Sequence, residues 1–163
     1  MCERTLVVGV GNPMRGDDAI GLLVAGQLRS LSLPEVAIIE HNGDGAALME
    51  RWKGFDRVVV VDAVRAEKTP GTVVRFDAGA KPVRAEFATS SSHAFGIGEA
   101  IELARMLEEL PPSLTVLGVV GKEFRINGTI TPEVARAAES VVKQVILEVQ
   151  HETRDCKMTP DGR

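Results

Sequence analysis

The stretch Leu6-Val7-Val8-Gly9-Val10-Gly11-Asn12-Pro13-Met14-Arg15-Gly16-Asp17-Asp18-Ala19-Ile20-Gly21 decides the architecture. A short apolar run becomes a Gly-rich turn, and the turn hands two adjacent carboxylates to a helix. A run rich in β-branched residues, with no alternating polar positions, suits a strand covered on both faces. The spacing predicts a strand over Thr5–Val10 and a helix over Asp18–Leu31. Ile20, Leu22, Leu23, Ala25 and Leu28 form the apolar side of that helix. Asp17 or Asp18 can cap it, and Leu33-Pro34 stops it.

The same alternation continues outward. Val36–Glu40 reads as a second strand, and Gly43-Asp44-Gly45 turns the chain into a short helix from Ala46 to about Lys53. Arg57–Asp62 holds four consecutive valines, which need cover on both faces and so mark a central parallel strand. Lys68-Thr69-Pro70-Gly71 is a turn before a strand over Thr72–Asp77. Ala78–Thr89 shows no period. Ser90-Ser91-Ser92-His93 opens a helix to about Leu110, with Ile97, Ala100, Ile101, Ala104 and Leu107 on one face and Pro111-Pro112 ending it. Leu114–Val120 is the fifth strand. Thr131-Pro132-Glu133 starts the last helix with a Thr cap and Pro at the first position, and Val134, Ala138, Val141, Val145 and Val149 form its core stripe. Strands alternating with helices predict a three-layer α/β domain. Its sheet is twisted, mostly parallel and about five-stranded, with helices on both faces, as in phosphorylase/hydrolase-like folds.

The chain has 163 residues and reads as one domain over 1–150, with a polar, disordered tail over 151–163. It is 44% hydrophobic and 26% charged, an ordinary globular balance, and its formal net charge is −4. No two Lys or Arg residues are adjacent, so a nucleic-acid footprint is absent. The N-terminal apolar run is too short and too acidic for a signal peptide, and no stretch reaches the about 20 apolar residues that span a bilayer. Cys2 and Cys156 sit near the two ends and make no disulfide framework, which points to a reducing compartment, the cytoplasm.

In open α/β sheets, sites form at the carboxyl ends of strands, near the point where strand order reverses. Asp18, Asp62 and His93 are the acid/base or ligand residues that this rule brings to one rim. Each has an ordinary alternative: Asp18 as a helix cap, Asp62 as a turn cap, His93 as a surface residue. One cap suffices for a helix, however, and Asp62 follows four valines, where a charge needs a partner. Two carboxylates and an imidazole fit a borderline cation such as zinc, nickel or manganese, with a coordination position left open.

A nucleotide site is the rival reading. Gly9 and Gly11 match the first two glycines of the dinucleotide fingerprint, and Glu40 could meet a ribose, but Met14 stands where the third glycine belongs. Asp17 and Asp18 would also repel a pyrophosphate at the helix N-terminus. Ser90 to Ser92 lack a nucleophile-elbow sequence, and neither cysteine has an activating context. A non-catalytic metal- or nucleotide-binding module is the alternative to an enzyme.

Gly9-Val-Gly-Asn12, Gly16-Asp-Asp-Ala-Ile-Gly21, Val61-Asp62-Ala63 and Ser92-His93 occur in that order, with Pro70–Thr72 and Leu114–Val119 fitting the same pattern. In these segments the chain resembles the hydrogenase maturation proteases, from about Leu6 to Val149. The resemblance implies an aspartic-type endopeptidase that removes a C-terminal extension from the large-subunit precursor of a nickel-iron hydrogenase after nickel insertion. It implies that Asp18, Asp62 and His93 are both the catalytic and the metal-contacting residues. Gly11, Asn12 and Asp17 fall to binding around them. The nickel would be the precursor's own, with zinc, cadmium or manganese as surrogates, and the enzyme would act as a monomer. Many members carry Asp-Gly-Gly-Thr after the second strand, where this chain has Glu40-His41-Asn42-Gly43-Asp44-Gly45. That departure leaves the roles of Glu40 and Asp44 open.

Overall fold

The computed structural model describes residues 3–83 and 95–150. Cys2, Ser90 to His93 and the 151–163 tail, including Cys156, lie outside the described residues. Strands β1 (Thr5–Val10), β2 (Val36–His41), β3 (Arg57–Val64), β4 (Val73–Asp77) and β5 (Ser113–Val120) form one sheet in the order β2-β1-β3-β5-β4. β4 pairs antiparallel with β5, and the other pairings are parallel. The helices are α1 (Ile20–Ser30), α2 (Gly45–Trp52), α3 (Ile97–Met106) and α4 (Pro132–Gln150).

The valine run of β3 occupies the centre because every residue of it is buried. Its side chains alternate between faces. Val58, Val60 and Val64 pack with Leu48 and Trp52 of α2 and with Ile97 and Ile101 of α3. Val59, Val61 and Ala63 pack with Ile20, Val24 and Leu28 of α1 and with Val134, Val141 and Val145 of α4. The three-layer α/β architecture read from the sequence is therefore the observed one.

Four boundaries differ for physical reasons. α3, expected to open at Ser90–His93, starts at Ile97, where Gly96 is the N-cap and its N–H donates to Glu99 Oε2 at 3.1 Å. β3 continues two residues past Asp62, because β5 stays paired with it through Val64 after β1 has left at Gly9. Asp18 does not begin α1; it sits in a 3-10 turn over Gly16–Ala19, and α1 starts at Ile20 with no side-chain cap. Neither Asp17 nor Asp18 caps the helix, since both carboxylates are engaged elsewhere. α3 ends at Met106 rather than near Leu110. Glu108 adopts φ 57° there, and Glu109 N–H reaches back to the Ala104 carbonyl at 2.8 Å, closing a Schellman-type end before the two prolines. Leu107, placed on the core face by its spacing, is exposed for that reason.

Candidate active site

β1 lies between β2 and β3, so the chain leaves β1 for one neighbour and later returns on the other side. The carboxyl ends of β1 and β3 flank this switch point, where a crevice opens in doubly wound folds. The loop after β1 and Asp62 of β3 both stand there.

The glycines of this loop serve close packing. A Cβ on Gly21 would lie 2.1 Å from the Val10 carbonyl oxygen and 2.5 Å from that of Val61, so only glycine lets the first turn of α1 rest on both strand ends. A Cβ on Gly11 would lie 2.0 Å from the Asp18 carbonyl oxygen, so the loop folds directly back onto the end of β1. Gly11 N–H donates to the His41 carbonyl at 3.0 Å, which ties the loop to β2. The nucleotide fingerprint is thus accounted for by steric contact between strand and helix.

Asn12 opens the loop with an Asx turn, its Oδ1 accepting from Met14 N–H at 2.9 Å. Its own N–H donates to Asp18 Oδ2 at 3.0 Å. Asp18 is half-buried at the rim. Asp62 is 7% exposed, and the alternation of β3 puts it on the same face as Val60 and Val64. Burial pushes the Asp62 carboxyl well above the usual carboxylate range, and the Asp18 charge pushes it the same way, against a backbone hydrogen bond from Ala63. The Asp18 charge is thus felt at Asp62. Two like charges in such a place favour a shared proton or a cation between them.

Asp17 has a different position. It is 0% exposed, and its carboxylate points away from the crevice into the loop between β5 and α4. Oδ2 accepts from the N–H groups of Lys122 at 2.7 Å and Glu123 at 2.9 Å. Oδ1 accepts from Thr131 N–H at 2.6 Å, and the Thr131 hydroxyl donates to both oxygens at 2.9 and 3.0 Å. Burial would raise its pKa, but the hydrogen bonds from Thr131, Glu123 and Lys122 outweigh it and hold the carboxyl below its ordinary value. Asp17, assigned from the sequence to cofactor binding, is engaged within the protein instead. Lys122 and Glu123 had no signal in the sequence, and Thr131 was read there only as the cap of the last helix; the hint to this bond was the adjacency of two aspartates where one would cap a helix.

The acids after β2 are accounted for as well. Asp44 caps α2, its Oδ1 accepting from Ala47 N–H at 2.8 Å. Glu40 meets Arg29 of α1 at 2.7 Å on an open surface. Gly45 N–H donates to the Phe95 carbonyl at 2.9 Å, which brings the start of α2 to the start of α3. His93 lies outside the described residues, and among the described residues no group of three His, Cys, Asp or Glu side chains could hold a metal ion.

A hydrogenase maturation protease family model matches residues 23–148. The chain belongs to that family. This hydrogenase maturation protease is 30% identical over 151 residues to the Hydrogenase 2 maturation protease of Escherichia coli, covering 90% of this chain and 91% of the relative. Its fold matches the hydrogenase maturating endopeptidase HybD from E. coli with a TM-score of 0.78 at 27% identity, over 91% of this chain and 93% of the other. It matches the solution structure of an endopeptidase from Escherichia coli with a TM-score of 0.80 at 28% identity and the same coverage. The chain is accordingly an endopeptidase of the hydrogenase maturation class. No helix among its described residues is long and apolar enough to cross a membrane.

Proposed function

We propose that this endopeptidase removes the C-terminal extension of a nickel-iron hydrogenase large-subunit precursor once nickel is in place, and that Asp18, Asp62 and His93 contact that nickel. The observation that carries this reading is the buried Asp62, 7% exposed within β3 beside the switch point of the sheet, with Asp18 in the turn after β1 as the charge that acts on it. Placing a charged carboxylate in so dry a position is costly unless a cation or proton meets it. The precursor's nickel supplies that cation, and docking of the metal sets the scissile peptide in the crevice. Gly11 and Asn12 form the floor beside it. A water activated at this site, by the metal or by a carboxylate, attacks the scissile carbonyl. Zinc, cadmium or manganese would occupy the same residues as surrogates. The reaction needs a single copy of the chain and takes place in the cytoplasm.

The test incubates the purified protein with nickel-loaded and nickel-free precursor and follows the large subunit by mass. Cleavage is expected only with the loaded precursor, and His93→Ala should abolish it. Equal cleavage of the nickel-free precursor, or full activity in His93→Ala, would overturn the proposal. Nickel added to the enzyme with nickel-free precursor that cannot take it up should give no cleavage, since the metal acts as part of the substrate.

A further inference from the structure

We propose that Asp17 is a positioning residue of the active site: its buried carboxylate fastens the Gly16–Ala19 turn to the loop after β5 and so fixes where Asp18 presents its own carboxylate. Asp18 needs such a restraint. It sits in a four-residue 3-10 turn without a side-chain cap, and short 3-10 segments have poor hydrogen-bond geometry of their own. Asp17 is held at backbone and side chain by one loop. Its N–H donates to the Glu123 carbonyl at 2.8 Å, and its carboxylate accepts from Lys122, Glu123 and Thr131. The neighbouring strands of loop are joined too, with Gly16 N–H on the Gly128 carbonyl at 3.2 Å and Asn127 N–H on the Met14 carbonyl at 2.7 Å.

A carboxylate is a poor choice if the position only needs filling. An apolar side chain of similar volume would fill the space without burying a charge, but it would leave the Lys122, Glu123 and Thr131 N–H groups without this acceptor. What a carboxylate adds is direction, because charge-assisted hydrogen bonds are short, strong and oriented. Directed restraint is what a metal contact one residue away requires, since productive geometry must be held within about 0.5 Å. The catalytic consequence rests on the reading of Asp18 as a nickel contact; the geometric claim does not.

The experiment compares Asp17→Asn, Thr131→Val and Thr131→Ser in the full chain, at a temperature where thermal unfolding shows each to be folded. The first readout is hydrogen exchange of the Asn12 amide, which donates to Asp18 Oδ2. In Asp17→Asn this exchange should quicken at least tenfold while that of Val59 in β3 stays within about twofold. The second is cleavage of nickel-loaded precursor, where kcat should fall about 10–100-fold, the usual cost of losing an outer-shell partner, with KM within about threefold. Thr131→Val should show the same pattern more weakly, and Thr131→Ser should restore it. Unchanged Asn12 exchange in a folded Asp17→Asn protein overturns the proposal, as does a kcat loss that only tracks the unfolded fraction. If Asp17→Asn does not fold, the contrast between Thr131→Val and Thr131→Ser decides. If the wild-type protein cleaves no precursor, the function proposed above fails while Asn12 exchange still judges the role of Asp17.

Discussion

Replacing Asp62 by Asn should stabilise the metal-free protein while abolishing processing. The substitution keeps the shape of a side chain that is 7% exposed and removes its charge. Burial and the Asp18 charge both raise the folded-state pKa of Asp62 above its unfolded value. A group shifted in that direction contributes stability that is fully present below the unfolded pKa and is lost as pH rises through the folded one. The wild-type protein therefore gives up stability between acid and neutral pH that the Asn variant retains. Relief of a poorly compensated buried charge is worth about 1–3 kcal/mol, reduced where the new amide N–H groups lack acceptors. Taking about 2 kcal/mol, the Tm gain for a chain of this size is about 4–8 °C. Circular dichroism melts in chelator from pH 4 to pH 8 test this. The variant should lead at pH 8, and the gap should narrow as pH falls towards about 4, near the unfolded-state Asp pKa, below which Asp62 is protonated in both states. A variant less stable than wild type at pH 8, or a gap independent of pH, would refute the reasoning. Asp18→Asn should lower the Asp62 pKa and shrink the effect of the second substitution, a coupling that a double-mutant cycle reads directly.

Asp17 titrates with the opposite sign. Its folded pKa is depressed, so its stabilisation is present above the ordinary carboxylate value and is lost as pH falls through the folded one; urea midpoints below about pH 4 should fall in the wild type and flatten in Asp17→Asn. Within α1, Gly26→Ala should stabilise by about 1 kcal/mol, because nothing lies within 4 Å of its added Cβ. On the same helix Gly21→Ala should destabilise by about 2–3 kcal/mol, because its Cβ would meet the Val10 and Val61 carbonyl oxygens; urea unfolding of the two variants reads the difference in sign. Asp44→Ala should cost about 1 kcal/mol through loss of the α2 cap and leave precursor cleavage intact, which an end-point assay on the folded variant checks.

The strand core was legible because burial on both faces leaves a local mark. The apolar runs at Leu6–Val8 and Val58–Val61 carry no polar interruption, and nothing but a covered parallel strand uses such a run well. The helix stripe Val134–Val149 was legible for the same reason at a period near 3.6. Asp18 and Asp62 stood out in the sequence because one lies in the turn after the first apolar run and the other directly after four valines, where a charge is out of place. The end of α3 was not legible, since a left-handed Glu108 leaves no residue signal of the kind glycine would.

By itself, the sequence determined which segments are strands and that helices cover both faces. Those properties depend on local periodicity and on the solvation cost of individual side chains. Only the tertiary structure separated Asp17 from Asp18. Adjacent residues of one type look alike in a string, yet one carboxylate accepts from the Asn12 amide and acts on Asp62 as a charge, while the other accepts from Lys122, Glu123 and Thr131. The partners of Asp17 lie more than a hundred residues away, and long-range hydrogen-bond donors on a backbone have no signature in side-chain pattern. Gly11 and Gly21, on either side of the pair, were decided the same way, by carbonyl oxygens 2.0 and 2.1 Å from where a Cβ would stand.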